Sequence, residues 1–382
     1  MDQNAAKVRD YAIYYIMTAI EKISPHFKPH PGLKNGHAMT IVPALLAARP
    51  VLSDGEKLQI EVERDNWVTG YLNRHSESHG GEGHSERPLM IVVHGLEGTA
   101  RAPYVNGLGY KAHLAGFDVF RMNMRNCEDT FSLCTTLYNA GLSGDLFAIG
   151  LYLKELFGYR DIYACGFSLG GNLVLKAAGE QGTSQDHRLR RLFKAVVAVS
   201  PPVELVESVK AIERGASRLY DFNFLISLKK KIIERERLFP GTYDLERLKK
   251  IKSLRQFDNY FTAIDAGYDC AESYYQAASA MRVLRDVKIP TLIVAAQDDP
   301  IVPYAQSFAP LALQMVRCPQ LSIVSPPQGG HVNFFSEHEI SLASLYEDAA
   351  TLKQISLPDT IYKDRFWAEW LALKFCLYTQ YS

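Results

Sequence analysis

The chain has 382 residues, with 42 Lys+Arg against 42 Asp+Glu and a formal net charge of zero. Hydrophobic residues make up 47% and charged residues 22%, an ordinary globular composition that excludes disordered, collagen-like and low-complexity architectures. The even charge leaves no basic footprint for nucleic acid, and at roughly 150 residues per domain the length gives about two and a half domains, while one large α/β domain carrying an insertion fits equally well.

Near the N-terminus, Tyr11 to Ile20 form an apolar run too short to span about 30 Å of hydrocarbon as a helix. Glu21 and Lys22 follow with no small-residue cleavage site, so a signal peptide is not expected. The run reads as a helix docked on the body or, in the sharper alternative, an interfacial helix giving peripheral membrane contact. Six cysteines (127, 134, 165, 270, 318 and 376) show no CxxC and no zinc spacing with histidine, so they read as free thiols of a reducing, cytoplasmic compartment. Neither metal nor organic cofactor is expected.

From residue 57 onward, short β-branched runs alternate with helical patterns, which predicts a mostly parallel twisted sheet flanked by helices. Residues 58–64 and 68–74 predict a leading antiparallel pair. The polar segment 76–87 reads as a hairpin loop, although its histidines and His75 have metal-ligating chemistry. Strands are predicted at 89–95, 117–124, 161–168, 194–200, 291–299 and 320–327, because each is a short apolar run bounded by turn residues. Helices are predicted at 144–157 and 171–180. The alternation fails over 203–285, which reads as a helical cap inserted between two core strands; its run 227–238 (SLKKKIIERERL) reads as a solvated helix face. This divides the chain into a lead-in (1–56), a first core part (57–202), the insertion (203–285) and a second core part (286–382). Residues 361–378 read as an amphipathic helix with Trp367 and Trp370 in the core.

The sharpest chemical signal is Gly166-Phe167-Ser168-Leu169-Gly170-Gly171-Asn172, between a predicted strand and a predicted helix. In that context GxSxG is a nucleophile elbow, a tight turn that exposes a serine at a helix N-terminus. Serine needs a base to take its proton and a third group to orient that base. In such folds the acid follows the serine in the chain and the histidine comes last. Asp298-Asp299-Pro300 ends one predicted strand and Gly329-Gly330-His331 follows the next, so the candidate row is Ser168, Asp299 and His331. Asp298 is the alternative acid. The N–H groups of Leu96, in the turn His94-Gly95-Leu96-Glu97-Gly98, and of Leu169 are the candidate oxyanion donors. His94 reads as a support for that turn.

With these motifs the sequence resembles the YheT-like branch of the α/β-hydrolase fold, grouped with eukaryotic lipid-active α/β-hydrolase-domain proteins. The resemblance covers most of the chain: residues 32–41 (GLKNGHAMTI), 92–98, 123–127 (NMRNC), 137–146, 166–172 and 329–334. Its most specific part runs from Asp258 through Gly267-Tyr268, Tyr274-Tyr275, Ser279, Val287 and Pro290 to Asp298-Asp299. Ser273 and Asn126 depart from the pattern, Asn126 standing where glycine is common. The resemblance implies a serine hydrolase of carboxylic esters, with short-chain esters, acylglycerols or phospholipids as substrates and Ser168, Asp299 and His331 at the catalytic positions. Arg125 to Cys127 and Tyr138 to Asp145 either line the pocket or brace the loop after the second core strand. The same triad would serve a thioesterase or amidase, and a lipid- or partner-binding protein without catalysis is the alternative of another class.

Overall fold

The computed structural model describes residues 27–75, 87–311, 318–347 and 362–381. The apolar run 11–20 and nearly all of the polar loop 76–87 lie outside them. Eight strands, β1 (Glu56–Glu63), β2 (Asn66–Asn73), β3 (Leu89–Val93), β4 (Asp118–Met122), β5 (Ile162–Phe167), β6 (Phe193–Val199), β7 (Thr291–Val294) and β8 (Leu321–Val324), form one sheet in the order β1-β2-β4-β3-β5-β6-β7-β8. β1 and β2 run antiparallel to their neighbours, and every pairing from β4 to β8 is parallel.

The central strands are apolar throughout because both faces are covered. On β3, Leu89, Ile91 and Val93 pack toward the helices Ser143–Phe157 and Leu169–Thr183, whereas Met90 and Val92 pack toward Pro103–Leu114 and Trp367–Tyr381. The register pairs Val93 with Gly166, Phe167 with Val199 and Val199 with Val294. The carboxyl ends of β3, β5, β6 and β7 are therefore level, and the residues that follow them collect along one edge.

Between β6 and β7 the chain leaves the sheet as a run of helices, chiefly Leu205–Ile212, Arg218–Leu238 and Ala271–Ala278. Its two ends are clasped: Met281 donates its N–H to the Val203 carbonyl, and the Ser279 hydroxyl accepts the Leu205 N–H at 3.0 Å.

Two expectations need correction. Residues 361–378 are not one amphipathic helix: Lys363–Phe366 form β10, paired with β9 (Phe335–Ser341), and the helix Trp367–Tyr381 is buried on every face from Trp367 to Leu377. Its Glu369 points inward into ion pairs with Arg49 and with Lys111, which also binds Asp364 of β10. The run 227–238 is not a wholly solvated face. Lys231 and Arg235 are buried, and Arg235 donates to the carbonyls of Phe131, Cys134 and Thr135. Among the described residues no helix is long and apolar enough to cross a membrane.

Candidate active site

Ser168 stands between β5 and the helix Leu169–Thr183 with φ 52° and ψ −120°, a conformation that costs a non-glycine residue about 1–3 kcal/mol. Its surroundings impose the strain. The Ser168 N–H is held by the Val199 carbonyl at 2.8 Å, and its own carbonyl accepts the Asn172 N–H at 3.1 Å. The flanking glycines are steric necessities: a Cβ on Gly166 would collide with the Gly170 carbonyl, and one on Gly170 with the His94 carbonyl. Asn172 fastens the elbow helix, donating to the Ala140 and Ala278 carbonyls and accepting the Ala280 N–H.

The other two residues arrive from separate loops. His331 Nε2 lies 2.8 Å from Ser168 Oγ, and its Nδ1 lies 2.8 Å from Asp299 Oδ2. The second carboxylate oxygen of Asp299 accepts the N–H groups of Ile301 and Val302 at 2.8 and 3.0 Å. That fixes the carboxylate so that one oxygen faces the imidazole. Asp298 turns the other way and accepts the Gly330 N–H at 2.9 Å, shaping the turn before His331; burial holds its carboxyl above the ordinary range. The structure thus brings together Ser168, His331 and Asp299, with Asp298 one step removed.

Motif 32–41 supplies a brace that composition could not reveal. It opens the helix Gly36–Leu46, in which Thr40 Oγ accepts the His331 N–H at 2.9 Å and donates to the Gly36 carbonyl at 2.7 Å. From the opposite side the Ser200 hydroxyl donates to the His331 carbonyl. Ser200 carries no sequence signal and Thr40 only its place in the motif 32–41, because each acts on His331 across a large chain separation.

The turn after β3 lies against the serine, with the site of a Gly95 Cβ only 3.1 Å from Ser168 Cβ. Tyr104 Oη accepts the Gly95 N–H at 3.0 Å and Tyr138 Oη the Glu97 N–H at 3.2 Å. Between them the Leu96 N–H, like that of Leu169, has no hydrogen-bond partner among the described residues. His94 is buried and accepts the Met124 N–H on Nε2 at 3.1 Å, so its Nδ1–H donates to the Gly95 carbonyl at 2.8 Å. Burial pushes its pKa down to about 4. It is a neutral strut for the turn.

Ser168, Leu96 and Leu169 line one chamber that is partly open to solvent. The inserted helices supply most of its apolar wall, including Leu205, Val209, Phe224 and Leu228, while Asp258, Thr262 and Tyr275 add a polar patch. Both readings of the two loop motifs hold, for different residues. Tyr138 and Asn139 line the chamber, whereas Arg125 is a brace, bonding Asp145 through Nε and Nη2 and Glu63 and Thr136 through Nη1.

Residues 88–338 match the family described as the alpha/beta hydrolase fold. The Escherichia coli (strain K12) protein named "Putative esterase YheT" is 31% identical over 81% of this chain and 87% of its own length. A Saccharomyces cerevisiae monoacylglycerol lipase is 30% identical over 66% of this chain and 56% of its own length. The phospholipase ABHD3 of Mus musculus is 27% identical over 65% and 59% respectively; the chain thus spans little more than half of these two relatives. With the sheet order, the strained serine turn and these similarities in hand, the chain belongs to the α/β-hydrolase fold family, in its YheT-like branch.

Proposed function

We propose that this protein is a serine hydrolase of carboxylic esters whose substrates are acylglycerols or related lipid esters. The observation that supports it most is the hydrogen-bonded row Ser168–His331–Asp299 at the mouth of a largely apolar chamber. In this mechanism His331 Nε2 takes the Ser168 proton as Oγ attacks the ester carbonyl. Asp299 keeps Nδ1 protonated and stabilises the imidazolium that forms. The Leu96 and Leu169 N–H groups receive the developing oxyanion, with the N-terminus of the helix behind Ser168 adding positive potential. His331 then protonates the departing alcohol, and water activated by the same imidazole releases the acid. The segment 203–285 acts as a cap whose apolar wall receives the acyl chain. A lipid substrate class is supported by that wall and by the names of the yeast and mouse relatives.

The test is labelling by a fluorophosphonate, followed by turnover of a p-nitrophenyl ester series. Ser168→Ala should fold, lose labelling and lose nearly all turnover. Asp299→Asn should lower kcat by about 10⁴-fold, by the tautomer argument, and Asp298→Asn by less than about tenfold, since it touches the reacting groups only through the Gly330 turn. Absence of labelling in the folded wild type would overturn the catalytic reading.

A further inference from the structure

Beneath the turn that carries Leu96 lies a buried ionic cluster that the chemistry above does not use. Glu97, at φ 58°, turns its carboxylate inward, where Oε1 receives Tyr138 Oη–H at 2.6 Å and Lys231 Nζ at 2.8 Å. Oε2 receives the hydroxyl of Ser227. The Glu97 and Lys231 side chains are each 9% exposed. Lys231 also reaches Cys127 Sγ at 3.4 Å and sits 4.4 Å from the centre of the Tyr138 ring. Burial alone would push its ammonium down, but Cys127 and Glu97 together carry its pKa above the ordinary value.

Ser227 and Lys231 are one turn apart on the inserted helix Arg218–Leu238, and between them Leu228 faces the chamber, as does Phe224. The helix that touches a chamber occupant is therefore the helix that grips Glu97. Glu97 directly follows Leu96, and the peptide groups on either side of the Leu96 N–H are pinned, by Tyr104 and by the same Tyr138 that binds the carboxylate. If the helix lifts, Glu97 is left without its cation, an electrostatic penalty that turning outward to water would relieve. That turn would rotate the neighbouring peptide.

We propose that Glu97 and Lys231 are positioning residues that make the Leu96 oxyanion donor conditional on the seat of the helix Arg218–Leu238, an inference that deepens the ester-hydrolase reading and rests on it. The helix is a sensor of chamber occupancy, and the ion pair transmits its position to the turn that stabilises charge during reaction. An acyl chain that seats the helix well is turned over efficiently; one that holds it away meets an enzyme with an intact nucleophile but a misplaced donor.

The experiment compares wild type with Lys231→Met, Lys231→Arg and Glu97→Gln. Lys231→Met should lower kcat on p-nitrophenyl esters about 10- to 100-fold, as expected for a donor displaced by about 1 Å, with KM changed less than threefold. Affinity for an alkyl trifluoromethyl ketone, which forms an oxyanion on Ser168, should fall by the same factor, and Lys231→Arg should restore most of both. Hydrogen exchange read by mass spectrometry should rise in Lys231→Met in two peptides together, one containing residues 94–98 and one from 218–238. A folded Lys231→Met with kcat within twofold of wild type, a loss in KM alone, or faster exchange confined to 218–238 would each overturn the proposal. Should Lys231→Met fail to fold, Ser227→Ala removes one arm of the grip without burying a lone charge and must show the same paired rise. If wild type cleaves no ester, the ester reading fails, and the exchange measurement still decides the coupling.

Discussion

Asn126 is fully buried with φ 54°, and neither end of its side-chain amide finds a hydrogen-bond partner among the described residues. Asparagine tolerates the left-handed region better than other side chains, which is why it can stand where glycine is common. Its amide is nevertheless desolvated without return. Asn126→Gly should therefore raise stability by about 1 kcal/mol, the amide's relief outweighing the extra flexibility of the unfolded chain; thermal unfolding checks this, and a lower Tm would mean the amide is better satisfied than the structure implies. Asp298 and Asp299 show where sequence reading runs short at this scale. Their adjacency made the choice between them depend on orientation, and orientation comes from the Ile301, Val302 and Gly330 N–H groups. Ser168 and His331 were legible because each stands alone in its motif beyond a strand end.

Among the elements, strands covered on both faces were read to within a few residues, since a buried parallel strand is an apolar run bounded by turns. The segment 361–378 was misread because Glu369 and Lys374 gave it a charged face, yet both are buried. Similarly, Lys231 and Arg235 in the charged run 227–238 lie on one face at a spacing of four, with Ser227 four residues earlier. That stripe was a signal of an inward polar face. The helix Gly36–Leu46 sits so close to the acid loop that a Cβ on Gly36 would collide with the Asp298 carbonyl. Gly36→Ala must move that helix and with it Thr40, the partner of the His331 N–H. It should cost about 1–3 kcal/mol of stability and reduce kcat/KM about tenfold or more. Denaturant titration and ester kinetics on the same preparation test both, and unchanged kinetics would show that Thr40 is dispensable for the placement of His331.

At the scale of the whole molecule, two buried groups give opposing pH responses. Burial pushes the Asp258 carboxyl up to about 6, against an ordinary value of 3.8. The folded state then binds its proton more tightly than the unfolded chain, and stability falls as pH rises through that interval. His94, pushed down to about 4 from 6.5, works the other way: below its unfolded value the unfolded chain takes the proton first, so stability rises with pH from about 4 to 6.5. Asp258→Asn removes the first response alone. Its stability advantage over wild type should grow from pH 4 to about 6.5 and then level off, as read by urea unfolding at a series of pH values. A difference independent of pH would show that Asp258 titrates normally.

The helix Trp367–Tyr381 packs on the helix Pro103–Leu114, on β6, β7 and β9, and fills one face of the sheet with Trp367, Trp370, Leu371 and Phe375. Ser168, Asp299 and His331 are all synthesised before it. During translation the three groups can leave the ribosome while that face of the sheet is still wet, and Lys111 has yet to meet Glu369 or Asp364. The order of synthesis thus leaves the fold unfinished until this helix docks, and a chain broken off ahead of residue 362 would carry Ser168, Asp299 and His331 on a sheet with an open, sticky side.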